Sequence, residues 1–330
     1  MTPRDDDVNP VTEALAHQPT ASPLGHILPP VDDTVPPPAG GEASSVGGMA
    51  RQIVTVFLEN KLAVVGLIVI VFFLLFCIVG PLVYHTNQTN AETALNGVQN
   101  ASPGTGHPIG TDNTGYDILG RLMFGGQASL LVGFASAGVA TVVGVIYGAV
   151  AGFIGGWIDA FMMRFVDMLL SVPVLFLLIA LVTIYKQSEV LIIFVIAAVS
   201  WLIPARLVRG ETLTLRVREY VQAVRVMGGS RTRIVGRHIV PNAIGTIVVF
   251  ATFQIADSIL LLAALGFIGL GIPAPGTDWG SMLSDGVNSA ALGYWWEIYP
   301  AGLCIVLVVI AFNFIGDALR DALEVRLQRR

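Results

Sequence analysis

The residues of this chain best suited to chemistry are basic and polar, and they crowd into one short stretch. Eight arginines lie from Arg206 to Arg237, interleaved with Glu219, Gly228, Ser230 and His238 and closed by Pro241. No Gly-x-x-x-x-Gly-Lys phosphate loop accompanies them, so ATP binding by that route is excluded. No nucleophile sits beside a general base, and His238 has no second imidazole or carboxylate at ligand spacing, which argues against metal binding. No catalytic residue, metal site or cofactor is expected. One further residue stands out. Asp257 lies in the middle of a long apolar run, where an ionised carboxylate is expensive and usually has a purpose. It either lines a polar path or pairs with a neighbour such as Gln254, and the sequence leaves both open.

The elements that position these residues are membrane helices. Hydrophobic residues make up 54% of the 330 and charged residues only 12%, about half the charge usual for a soluble domain. The stretches from Leu62 to Tyr84 and from Ala128 to Ile158 contain no Asp, Glu, Lys or Arg, and about 20 such residues cross a bilayer's hydrocarbon core. Six spans are predicted: Leu62–Tyr84, Ala128–Ile154, Phe161–Tyr185, Val190–Val208, Ala243–Gly271 and Ile298–Gly316. All must be helical, because lipid offers no partner to an unpaired amide. The fold class is therefore an all-α integral membrane protein. The first span begins too far along the chain and is too long for a cleaved signal peptide. Cys77 and Cys304 each fall inside an apolar block and read as small packing residues.

Charge asymmetry orients the spans. With the N-terminus inside, sixteen of the 18 Lys and Arg fall on the cytoplasmic side and only Arg121 and Lys186 outside. Both termini are then cytoplasmic. The arginines of 206–237 follow this asymmetry and need no nucleic acid to explain them. Tyr294, Trp295, Trp296 and Tyr299 suit an outer interfacial belt. Residues 1–50 form an acidic, Pro-rich and Gly-rich tail that cannot bury a core and is expected to be disordered. Residues 51–126 hold the first span and an outer loop, residues 127–318 five further spans, and 319–330 a short C-terminal tail.

Within 211–242 the pattern is helix, Gly228-Gly229 break, then a second short helix that Ser230 is placed to cap and Pro241 to limit. This segment resembles the EAA loop of ABC importer permeases, and more closely the variant found in the dipeptide/oligopeptide permease family. Glu219, Tyr220, Val221, Ala223, Arg225, Gly228, Ser230, Arg237, His238, Pro241 and Asn242 match that variant. The resemblance extends through His107-Pro-Ile-Gly-Thr-Asp112, Gly115-Tyr-Asp-Ile-Leu-Gly-Arg121, Phe267-Ile-Gly-Leu-Gly271, Trp279-Gly-Ser-Met-Leu283 and the Asn313–Leu323 region. Tyr116, Leu262, Gly266 and Glu324-Val325 depart from the family's usual residues.

The resemblance implies a type I ABC importer permease of the C-type, in a bacterial inner membrane. Its partners would be a second permease, two ATPase subunits and an extracytoplasmic solute-binding protein. Glu219, Ala223, Arg225, Gly228, Ser230, Arg237, His238 and Pro241 would form the surface coupled to the ATPase, and Asp257 would belong to the translocation path. Peptides are the implied cargo; relatives in the same class carry glutathione or nickel complexes. A stand-alone secondary transporter or channel is the competing class. It calls for several intramembrane charges or an internal repeat, whereas Asp257 stands alone and no repeat is visible.

Overall fold

A computed structural model describes residues 55, 57–88 and 90–328; the acidic tail expected for 1–50 lies outside them. The described elements are helical. Helix α1 spans Lys61–Val83 and a short α2 spans Ala91–Leu95. Helix α3 runs over Ile118–Ile154, α4 over Gly156–Leu170, α5 over Val174–Ile184, α6 over Glu189–Ser200 and α7 over Leu202–Leu215. After the short α8 (Glu219–Val226) and α9 (Arg231–Ile234) come α10 (Val240–Phe267), α11 (Trp279–Ala291) and α12 (Tyr299–Gln328). Four spans satisfy the length and apolarity of a membrane crossing outright, and the count reaches six when each of two bent pairs is taken as one span.

The bends have local causes. Helices α4 and α5 meet at 83° across Ser171-Val172-Pro173, because the residue before a proline resists the helical region. Helices α6 and α7 meet at 43° around Trp201; Pro204, in the first turn of α7, cannot donate to the preceding turn, so the break falls just ahead of it. Helix α3 is instead unbroken over 37 residues, and it begins ten residues before the predicted span. Asp117 caps it by accepting from the Gly120 amide at 2.8 Å.

Small residues let the backbones close. A Cβ on Gly144 would sit 2.6 Å from the Pro204 Cβ, one on Gly152 would sit 2.8 Å from the Thr212 Cβ, and one on Gly148 would collide with the Ala205 carbonyl. The α3–α7 interface is therefore built on these three glycines, as in other membrane helix pairs. Gly138 faces open space.

At the α3 N-terminal end, Trp279 is fully buried and donates from Nε1 to the Leu122 carbonyl at 3.0 Å, with Phe73 packed edge-on at 5.7 Å. Cys77 and Cys304 are free and buried in the same core. Trp296 differs from expectation. It is not part of an interfacial belt but is buried, donating to the Thr111 carbonyl at 3.2 Å, while Trp295 and Tyr299 remain exposed. Asp167 pairs not with Arg164, three residues away on the same helix, but with Arg206 of α7.

Candidate functional site

The segment 211–242 folds into two short helices standing on the C-terminal end of α3. Their contact face is apolar: Val221 from α8 and Ile234 and Ile239 from the following segment bury against Phe153. Arg225 extends over that ring, its guanidinium carbon 5.5 Å from the Phe153 centroid, within cation–π range. Gln222 donates to the Arg216 carbonyl at 2.9 Å, and Arg216 donates to the Gly152 carbonyl at 2.8 Å. The element is thus seated on α3 through both apolar burial and directed hydrogen bonds.

The joint between the helices ends α8 in a Schellman arrangement. The Gly229 amide donates to the Val224 carbonyl at 2.9 Å and the Gly228 amide to the Arg225 carbonyl at 3.1 Å. Gly228 has φ +81°, the left-handed region that a side chain with Cβ resists. Ser230 then caps α9, accepting from the Arg233 amide at 3.3 Å. Val226 and Met227, next to the joint, are 87% and 77% exposed, an apolar tip that none of the described residues covers. Glu219, Ala223, Arg231, Arg233 and Arg237 are exposed around the same element.

Pro241 does not end the second helix. The chain stays helical from Arg231 to Phe267, passing through a π turn at Val235–Ile239 in which the Val240 amide reaches back to the Val235 carbonyl. An α-helical Pro241 would lack the amide owed to the Arg237 carbonyl and press its ring on that turn; the wider π turn takes up the misfit. His238 is half-buried in it, and its carbonyl accepts from the Asn242 amide group at 2.5 Å. All eight residues singled out for this surface therefore lie on α8, at the Gly228 joint or on the helix that follows it. Beside it opens a cleft of about 960 Å³, lined by Arg218, Glu219, Tyr220, Pro241, Asn242 and Leu323 among others.

Asp257 lies apart, beyond the middle of α10. It is exposed at the surface of the chain and makes no hydrogen bond or ion pair with the described residues. Pairing with Gln254 is not found; Gln254 is buried instead. Two strong pairs escaped sequence reasoning. Arg209 grips Asp159 through Nε at 2.5 Å and Nη2 at 2.7 Å, tying α7 to α4, and Arg206 holds Asp167 on the same helix. Partners 50 and 39 residues apart carry no local signal, although an acid within an apolar run is itself a hint.

The departures at Leu262, Gly266 and Tyr116 also find places. Leu262 is fully buried among Val132, Leu178 and Ile196. A Cβ on Gly266 would strike the carboxylate of Asp278, which caps α11 and accepts from the amides of Ser281 and Ile272, both at 3.0 Å. Tyr116 lies 5.7 Å beneath the guanidinium of Arg121.

Residues 140–329 match the family described as the binding-protein-dependent transport system inner membrane component, and residues 48–103 match the N-terminal transmembrane domain of oligopeptide transport permease C. The chain belongs to the oligopeptide permease C family of ABC importers. Among its relatives, the oligopeptide transport system permease protein OppC of Escherichia coli K12 is 44% identical over 81% of this chain and 88% of its own length. The OppC proteins of Haemophilus influenzae and Bacillus subtilis are 42% and 39% identical, covering 81% and 83% of this chain and 86% and 88% of their own. Among solved structures, a chain of the MetNI methionine ABC transporter in inward-facing conformations aligns with TM-score 0.51 and 19% identity. It covers 61% of this chain and 96% of that one, which places the permease fold in the multi-pass membrane class expected from the sequence.

Proposed function

We propose that this permease forms half of the translocation path of an ATP-driven peptide importer in a bacterial inner membrane and that residues 211–242 couple it to an ATPase subunit. The observation that carries this reading is the seated two-helix element. A rigid base on Phe153 presents an exposed apolar tip, Val226 and Met227, ringed by Glu219, Arg231, Arg233 and Arg237. Such a tip is shaped to enter a groove in another protein, and the anchoring on α3 would transmit its displacement to the membrane helices. Peptide cargo follows from the names of the relatives. The remaining partners in this reading are a second permease, a second ATPase and an extracytoplasmic solute-binding protein, with both termini on the ATPase side. The chain itself would perform no catalysis.

Asp257 is assigned to the path. A carboxylate facing lipid in the middle of a span costs several kcal/mol, so its exposure at the chain's surface implies cover by a partner helix or by the aqueous route. We assign it the cationic amino terminus of the cargo as its partner. The test of the whole reading is reconstitution of the complete complex in vesicles. Uptake of an oligopeptide that requires ATP and co-purifying ATPase subunits is expected. Uptake by this chain alone, driven by an ion gradient, would overturn it.

A further inference from the structure

At the end of α3 opposite the coupling element, Arg121 is the hub of a buried polar cluster that no transport role absorbs. Its Nη1 pairs with Asp112, and its Nη2 donates at 3.1 Å both to the Thr277 hydroxyl and to Asp285. Asp112 is otherwise engaged by the Thr114 amide at 2.8 Å and the Tyr116 amide at 2.9 Å. Glu297 completes the cluster. It is only 3% exposed, yet neither of its carboxyl oxygens has a hydrogen-bond partner among the described residues, and the same is true of the Arg121 Nε. Ser289 is beside Glu297 without hydrogen-bonding geometry, and the charged groups facing it are Asp112, Arg121 and Asp285. Arg121, Asp112, Asp285 and Glu297 all line one void of about 10 Å³, close to the room one water needs.

Charge decides what this site can be. One guanidinium faces three carboxyl groups. The buried Asp112 neutralises it, and Asp285, about half exposed, is screened by solvent. No positive charge remains for Glu297, and a buried, unpaired carboxylate takes up a proton rather than stay ionised. We propose that Glu297 is a neutral carboxylic acid, joined to the Arg121 Nε by a single water in this void, and that its proton latches together the segments carrying Asp112, Thr277, Asp285 and Glu297. The water accepts from both Nε and the Glu297 hydroxyl and turns its own hydrogens to the Asp112 and Asp285 carboxylates that line the same void, so the Glu297 proton and the Nε–H each have an acceptor. Ionising Glu297 adds a negative charge beside Asp112 and Asp285 and opens the latch.

The test uses the assembled complex in lipid nanodiscs. Infrared difference spectra between wild type and Glu297→Gln at neutral pH should contain a protonated-carboxyl C=O band, lost in the variant and shifted in D₂O; a difference confined to carboxylate bands would overturn the proposal. Thermal unfolding gives a second reading. Gln imitates the neutral acid, so Glu297→Gln should melt within a degree or two of wild type, whereas Glu297→Ala should melt clearly lower. Equal losses in Gln and Ala, or a Gln variant clearly more stable than wild type, would show that Glu297 is charged. A high-resolution map of the complex should carry one solvent peak within hydrogen-bond distance of both Arg121 Nε and Glu297, and an empty void there removes the water from the proposal.

Discussion

The guanidinium of Arg225 stands 5.5 Å from the centre of the Phe153 ring, so the element proposed to meet the ATPase rests on the last turn of the 37-residue α3. Burial of the ring against Val221, Ile234 and Ile239 does most of the holding, because apolar area outweighs an exposed cation–π contact worth about 0.5–1 kcal/mol.

Phe153→Ala should therefore cost the seat of the element about 3 kcal/mol or more, and Arg225→Ala much less. Hydrogen exchange at the amides of residues 221–239 checks the order. Phe153→Ala should raise exchange across the whole segment while α10 beyond Ala243 stays protected. Equal effects of the two variants would mean the ring is not the anchor.

Gly228 and Gly229 are adjacent but fail for different reasons when replaced. A Cβ at Gly228 meets no atom within 4 Å, so Gly228→Val is penalised through its backbone angle alone, by about 1–3 kcal/mol. Gly228→Asn should be tolerated better, since Asn enters that region more readily. At Gly229 the angle is unexceptional, but a Cβ would lie 2.7 Å from the Val224 Cγ1. Membrane insertion and permease pairing should survive Gly228→Val, while substrate-stimulated ATP hydrolysis and uptake fall together. Wild-type transport by this variant would remove the segment from the coupling role.

Gly148 and Gly138 lie on one helix and predict opposite outcomes. Gly148→Leu drives side-chain atoms into the backbone of Ala205 and should separate α3 from α7, with loss of folded permease from the membrane. Gly138→Leu enters open space and should be nearly neutral, within about 0.5 kcal/mol. Detergent-solubilised yield and melting temperature report both.

Asp257→Asn keeps the size and loses the charge. A charged hydrogen bond to the cargo is worth about 1.5–3 kcal/mol, so uptake of a peptide with a free amino terminus should drop at least about tenfold. Uptake of the same peptide acetylated at its amino terminus should be poor in wild type and little changed by the substitution. Failure of the Asn variant to assemble with its partners would give Asp257 a structural role instead.

Much of this was legible from residue order. The spacing of Glu219, Gly228 and Ser230 announced helix, break and cap, because capping and glycine conformations are properties of the local chain. Six spans were read from apolar length, and four of them are single helices while two match bent pairs. What stayed hidden depended on contacts across the fold. Phe153 looked like one more apolar residue at a helix end, and Arg121 like a lone cation in an outer loop, since its partners Thr277 and Asp285 lie 156 and 164 residues away. Pro241 misled in a different way. Its local effect is to disfavour the helix, and only packing of Ile239 and Ala243 on either side makes a π turn cheaper than an end.

Helix α3 has 37 residues and no proline or break, a length of about 55 Å against a hydrocarbon core of about 30 Å. It carries Arg121 in its first turn and Phe153 in its last. A helix with no break offers no hinge at which axial motion would be taken up, so a shift imposed at Phe153 would be carried toward Arg121. In the coupling role proposed for 211–242, the segments gathered on Arg121 would then not be passive cover: they would travel with the piston, and its stroke would set how far the opposite end of the permease is moved.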